Sequence, residues 1–208
     1  MAWDTEETRR RLMAAAIAEF GARGPDATMA DIAKRAGINK ERLYNYYGDK
    51  RALFETVLSD QLRQLAAAVG RPDGRAEEVG EFAGRTFDYH QQHPELVRLL
   101  LWEALGQEPA VDEDNRTTQY RNQVEWYTAA QREGVLDEEI DADYAIFMAI
   151  ALSAWWVAVP QLARMLTGAD ADNPAERARR RAAVVRAAER IALPHDRRSS
   201  TSEGKNQP

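Results

Sequence analysis

The chain has 208 residues, no cysteine and a net charge of −6. That length buries a substantial core, and the missing cysteine excludes disulfides and thiolate metal sites and suits a reducing cytoplasm. Residues 1–58 carry ten Lys/Arg against nine Asp/Glu and the remainder eighteen against twenty-five, so nonspecific attraction to nucleic acid should be modest and the acidic remainder is poorly suited to it.

No sustained polar–apolar alternation and no hairpin dipeptide between β-branched runs occurs, so strands are not expected and about nine helices are. Met1-Ala2-Trp3-Asp4 leads straight into a charged first helix, about 4–22, without a signal pattern. Asp4 and Glu7 stand in capping-box positions there, and Leu12, Met13, Ala16, Ile17 and Phe20 face inward. Thr28 then caps a short helix in which Met29, Ile32, Ala33 and Ala36 repeat at helical spacing, and Gly37 supplies a left-handed end. Asn39 caps the next helix, 40–47, where Leu43 and Tyr47 are apolar and Lys40, Arg42, Tyr44, Asn45 and Tyr46 occupy the other faces. Two short helices about a glycine turn, the second basic and rich in amides and phenols, have the form of a DNA recognition unit.

Gly48-Asp49 ends that helix and caps a fourth, 49–69, with Leu53, Phe54, Val57, Leu58, Leu62 and Leu65 inward. Gly70 and Arg71-Pro72-Asp73-Gly74 break the chain. The predicted organisation is therefore all-α: 1–48 a helix-turn-helix DNA-binding domain, 49–70 a connecting helix, 71–193 a ligand-binding and dimerisation domain, and 194–208 a polar, disordered tail. Within the larger domain the helices fall at about 75–91, 94–106, 112–133, 141–168 and 174–193, with Pro94 and Pro174 opening two of them. A loop is expected at 107–111, and Asp141 is the expected cap of the eighth helix.

Residues 144–163 carry no charge and are long enough to resemble a membrane span. Alanine is their commonest residue, Pro160-Gln161 interrupts the end and no polybasic flank follows, so a buried bundle helix is expected and no membrane partner. His90 and His93 lack further ligands, so no metal or cofactor is expected. Arg177, Arg179, Arg180 and Arg181 begin the last helix, whose stripe of Ala178, Val184, Val185, Ala188 and Ile191 leaves most of them on the solvated side. Glu103 lies on the stripe of Leu96, Leu99 and Leu100. A carboxylate there either pairs internally, with Arg85 or Arg121, or lines a ligand pocket walled by Phe87, Trp126, Tyr127, Met148 and Trp155.

The N-terminal stretch resembles the tetracycline-repressor (TetR) family of bacterial transcription regulators. The resemblance rests on Phe20, Gly24, Thr28, Ile32, Ala33, Ala36-Gly37-Ile38, Leu43-Tyr44, Tyr46-Tyr47, Lys50 and Leu53-Phe54. The chain departs from the family pattern at Asn39, Glu41-Arg42 and Tyr47, and Glu41-Arg42 bears on DNA sequence preference rather than fold. The resemblance implies a homodimer, paired through the last two helices, that binds a pseudo-palindromic operator and is released by a small molecule. Arg42 and Asn45 suit base edges, Lys40 bases or phosphate, and Thr28, Tyr44, Tyr46 and Lys50 phosphates. Aromatic walls with one acid, Glu103, point to a lipophilic cation as effector. An acidic side chain at Ala154 or Val185 tests the dimer. A helical ligand-binding or interaction module without DNA function is the alternative; an enzyme finds no support in nucleophile-elbow, Walker, dinucleotide or zinc-helix motifs.

Overall fold

The structure, a computed structural model, describes residues 5–72, 74–106, 109–169 and 173–194. The predicted cap at Asp4, the first part of the 107–111 loop and the tail from 195 onward lie outside these residues. Among the described residues every regular element is helical: α1 Thr5–Arg23, a 3-10 turn Gly24–Asp26, α2 Met29–Ala36, α3 Lys40–Tyr47, α4 Lys50–Val69, α5 Ala76–Gln92, α6 Pro94–Leu105, α7 Glu113–Arg132, α8 Ala142–Ala158, α9 Pro160–Thr167 and α10 Pro174–Ala192. Ten helices stand where about nine were expected, because the predicted eighth helix is two. Val159 leaves the helical region ahead of Pro160, which has no N–H to continue the ladder, and α8 and α9 meet at a bend of 87°. No single helix among the described residues is long and apolar enough to cross a membrane.

The chain forms two compact units, and they do not follow each other along the sequence. The described residues within 1–66 and 93–113 make the first; those within 67–92 and 114–194 make the second. The segment 93–113, expected within the 71–193 domain, thus groups with the helix-turn-helix. In the first unit Leu12, Ala16, Phe20, Ile32, Leu43 and Leu53 form a buried core. Glu19, itself buried, pairs with Arg35 of α2 at 2.7 Å and with Arg23 at 3.6 Å, tying α2 to α1. Gly24 has φ +53°, and a Cβ there would lie 2.4 Å from Cδ2 and Cε2 of Trp102. Both the turn and the seat for the α6 indole therefore need glycine.

In the second unit α5 and α10 pack at close range. A Cβ on Gly80 would meet the Val185 carbonyl oxygen at 2.9 Å and Glu189 Cβ at 3.1 Å. Val185, considered as an interface position, is thus committed to α5. On α8, Ser153 Oγ donates to the Ala83 carbonyl at 2.9 Å and lies fully buried. The arginine run is less solvated than its spacing suggested: Arg180 is buried, bonded to Glu176 at 3.0 Å and to the Ala169 carbonyl at 2.8 Å, and lies over the Trp156 ring. Arg181 reaches Glu81 and Asp88 at 2.8 and 2.7 Å, while Ala178, placed on the stripe, is exposed. Asn173 caps α10 through Ala175 N–H, whereas Asp141 holds the N-cap position of α8 without a side-chain cap bond. Tyr144, Phe147 and Trp155 on α8, and Met165 and Leu166 on α9, remain exposed.

Gly80→Ala gains helix propensity but drives a methyl group into backbone. We expect a net loss of about 1 kcal/mol in chemical denaturation, the overpacking cost of about 1–3 kcal/mol exceeding the propensity gain of about 1 kcal/mol. An unchanged midpoint would show that α5 and α10 separate freely.

Candidate nucleic-acid interface

Each end of the helix pair is fixed locally. Thr28 Oγ1 accepts the Asp31 N–H at 3.1 Å and donates to Asp31 Oδ2 at 2.8 Å. Gly37, at φ 67°, closes α2, and Ile38 N–H returns to the Ala33 carbonyl at 3.0 Å. Asn39 Oδ1 accepts the Glu41 N–H at 2.9 Å, starting α3, and Gly48 ends it at φ 76°. Asp49 Oδ1 then takes the Ala52 N–H at 2.8 Å to begin α4. These bonds answer the end groups that a short helix leaves open.

Leu43 is the one fully buried side chain of α3. Lys40, Tyr44, Asn45 and Tyr46 are exposed and Arg42 half-exposed. Two of the cations are already ordered on rings one turn along: Lys40 Nζ lies 5.6 Å from the Tyr44 centroid, and Arg42 Cζ 5.7 Å from that of Tyr46. Arg42 Nη2 also donates to the Tyr46 hydroxyl at 3.3 Å. Lys50 Nζ donates to the Pro25 carbonyl at 2.6 Å, locking the start of α4 to the 3-10 turn. Thr28, the remaining predicted contact, is exposed at the start of α2.

One neighbour escaped the sequence reading. Thr8 and Arg9 of α1 line a cleft of about 320 Å³ with Leu12, Tyr46 and Tyr47. Burial raises the Tyr47 phenol above its ordinary pKa, and the Arg9 guanidinium beside it opposes the rise. The run Arg9-Arg10-Arg11 was the available signal, but periodicity alone does not say which arginine turns toward α3.

The predicted ligand residues do not share one cavity. Glu103 lines a first-unit cavity of about 370 Å³, and its Oε1 accepts the Val111 N–H at 2.7 Å in place of either expected arginine partner. Arg85 instead donates to the Val69 carbonyl at 2.8 Å. In the second unit Met148 and Trp155 line an apolar cavity of about 430 Å³ between α8 and α9. Trp126 and Tyr127 border a separate one of about 30 Å³, and Phe87 is sealed in the core with Ala83, Ala149 and Val184. Among the described residues no three His, Asp or Glu side chains converge as metal ligands would.

A capped helix, a left-handed glycine turn and a second capped helix with its basic and amide side chains turned outward define a helix-turn-helix DNA-binding protein. Residues 12–57 match the family of bacterial regulatory proteins described as tetR, and residues 78–190 the tetracyclin repressor-like C-terminal domain. The chain belongs to the TetR family of transcriptional regulators. The HTH-type transcriptional repressor SCO4008 of Streptomyces coelicolor is 37% identical over 169 residues, 79% of this chain and 86% of its own length. The regulator BetI of Escherichia coli strain SE11 is 28% identical over 177 residues, 80% of this chain and 86% of its own. The crystal structure of SCO4942 from Streptomyces coelicolor superposes with a TM-score of 0.76 at 30% identity, covering 89% of this chain and 98% of that one.

Tyr127 offers a test of how dry the second unit is. Its hydroxyl is buried with no hydrogen-bond partner among the described residues, and its pKa is pushed up to about 12, first by burial and then by the negative charge of Asp137. The unfolded phenol releases its proton near pH 10, so the native state holds one more proton between that pH and about 12. Stability contributed by the neutral phenol is full below pH 10 and is lost as pH rises through that window. The expected slope is about 1.4 kcal/mol per pH unit. Urea denaturation across this range is expected to show a shallower fall for Tyr127→Phe than for wild type; parallel curves would place the hydroxyl in contact with water.

Proposed function

We propose that the chain is a repressor that binds a pseudo-palindromic operator as a homodimer and leaves it when a small molecule enters the second unit. The observation that carries this reading is the outward face of α3, where five polar or basic side chains surround a single buried leucine. An interaction module without DNA function has no use for such a face. Arg42 and Asn45 read base edges, guanidinium matching guanine and amide matching adenine. Lys40 adds a base or phosphate contact. Thr28, Tyr44, Tyr46 and Lys50 hold phosphates and set register without reading sequence. The dimer spaces its two recognition helices about one DNA turn apart, ~34–36 Å, and the effector favours another spacing.

Dimerisation runs through α8 and α10, the first and last helices of the stretch where the sequence places the expected eighth and ninth. The exposed Tyr144, Phe147 and Trp155, all on α8, support it, since several large apolar side chains exposed on one helix mark a contact surface more than singly scattered ones do. The effector is an apolar small molecule, and the cavity of about 430 Å³ between α8 and α9, with Trp155 and Trp156 in its wall, suits a lipophilic cation through cation–π contact.

Two measurements test the reading. With DNA from upstream of its own gene, followed by fluorescence anisotropy at fixed salt, Arg42→Ala is expected to cost about 1–3 kcal/mol and to relax one base position per half-site. Adding Asn45→Ala is expected to abolish preference over unrelated DNA; wild-type affinity in the double variant would remove the base-reading assignment. Phe147→Asp buries a charge if α8 is interfacial, so sedimentation is expected to give a monomer in place of the wild-type dimer. A wild-type monomer at micromolar concentration would contradict the assembly.

A further inference from the structure

An arginine on an exposed helix face samples many rotamers, and a contact made by it must meet the cost of selecting one. On α3 that selection is already made. The Arg42 guanidinium lies over the Tyr46 ring, Cζ 5.7 Å from its centroid, and Nη2 donates to the phenol oxygen at 3.3 Å. Residues four apart share a helix face, so ring and hydroxyl hold the same group together. The ring is itself backed. Its centroid lies 6.3 Å from that of Tyr47, at an inclination of 52°, and the Tyr47 hydroxyl reaches Met13 Sδ of α1 at 3.9 Å. Tyr46 nevertheless keeps 48% of its surface exposed, so the pair faces outward. Among the described residues no carboxylate pairs with Arg42; a neutral ring and a neutral oxygen orient its charge without cancelling it. The companion pair is held less closely. Lys40 Nζ lies 5.6 Å from the Tyr44 centroid, with no hydrogen bond to that phenol among the described residues.

We propose that Tyr46 is a specificity-determining positioning residue, which holds the Arg42 guanidinium in the orientation that reads a base pair. The inference rests on the base-reading role proposed for Arg42 and goes beyond the phosphate role given to Tyr46. The donor count allows it. A guanidinium has five N–H groups; one on Tyr46 leaves four, and a guanine edge takes two. The phenol accepts from Arg42, so its own O–H is left to donate, and accepting from a charged donor strengthens that donation. Tyr46 therefore holds a phosphate and Arg42 at once, and fixes the distance between the DNA backbone and the base that is read. A guanidinium set in advance loses less freedom on binding. A phosphate contact is common to every sequence, whereas the aim of the guanidinium favours one.

The test is a double-mutant cycle on the full chain, read as base preference. Affinity is measured by fluorescence anisotropy at fixed salt, for the DNA upstream of the gene and for a series in which each base pair is replaced in turn. Arg42→Ala marks the base pair that Arg42 reads. At that pair Tyr46→Leu is expected to lower discrimination about two- to tenfold, as for one side chain left to be ordered on binding, with discrimination elsewhere kept. Tyr46→Phe, which keeps the ring and loses the oxygen, is expected to fall between Leu and wild type. In an Arg42→Ala background Tyr46→Leu is expected to add no further change in discrimination, which is the mark of coupled residues. Tyr44→Phe serves as the control, weakening every operator by the same factor. Circular dichroism verifies that each variant is folded. A Tyr46→Leu variant that loses the same factor on every operator, or loses equal discrimination with and without Arg42, would overturn the proposal while the base-reading role of Arg42 stands. An Arg42→Ala variant that relaxes no base pair would overturn both.

Discussion

A helix of eight residues does not persist alone in water, because nucleation costs more than its few hydrogen bonds return. For α3 the deficit is met at three points: the Asn39 cap, the left-handed close at Gly48 and the burial of Leu43. Caps of this kind stabilise by about 1 kcal/mol and a buried leucine by about 2 kcal/mol. Leu43 needs a floor, and α2, packed against both α1 and α3, supplies it. The carboxylate of Glu19, itself buried, ties α2 to α1 through the half-exposed Arg35, and the Gly37 turn carries that placement on to α3.

How much of this was legible follows from the range of each signal. The caps at Thr28, Asn39, Asp49 and Asn173, the closing glycine at 37 and the prolines opening α6 and α10 act on groups within three residues, and the sequence displays them directly. The same holds for the outward face of α3. The misreadings concern contacts across the chain. A stripe of apolar residues says that Val185 is inward but not that it meets two glycines on α5. Spacing placed Glu103 on an apolar face, yet its partner is a backbone N–H eight residues along. Arg180 stood in a run that looked solvated, and only the fold brings Glu176 and Trp156 around it.

The two units solve different packing problems. In the first, short helices converge on large side chains such as Phe20, Leu43 and Leu53. In the second, long helices approach closely through small residues: Gly80 and Gly84 on α5, Ala188 on α10 and Ser153 on α8. Close backbones leave little room for rearrangement, and the polar atoms caught between them must be answered, as the Ser153 hydroxyl and the Arg180 guanidinium are. The apolar space of this unit lies instead at α8 and α9, beside the bend that Pro160 imposes.

That α3 commits only Leu43 to the interior has an evolutionary meaning. Lys40, Glu41, Tyr44, Asn45 and Tyr46 can be exchanged with little effect on folding, since exposed helix positions carry little packing energy. On the proposed function, stability and operator choice therefore reside in different residues of the same two turns. On that reading, a duplicated copy of this gene reaches a new binding site by exchanging exposed residues of α3, without passing through an unfolded intermediate.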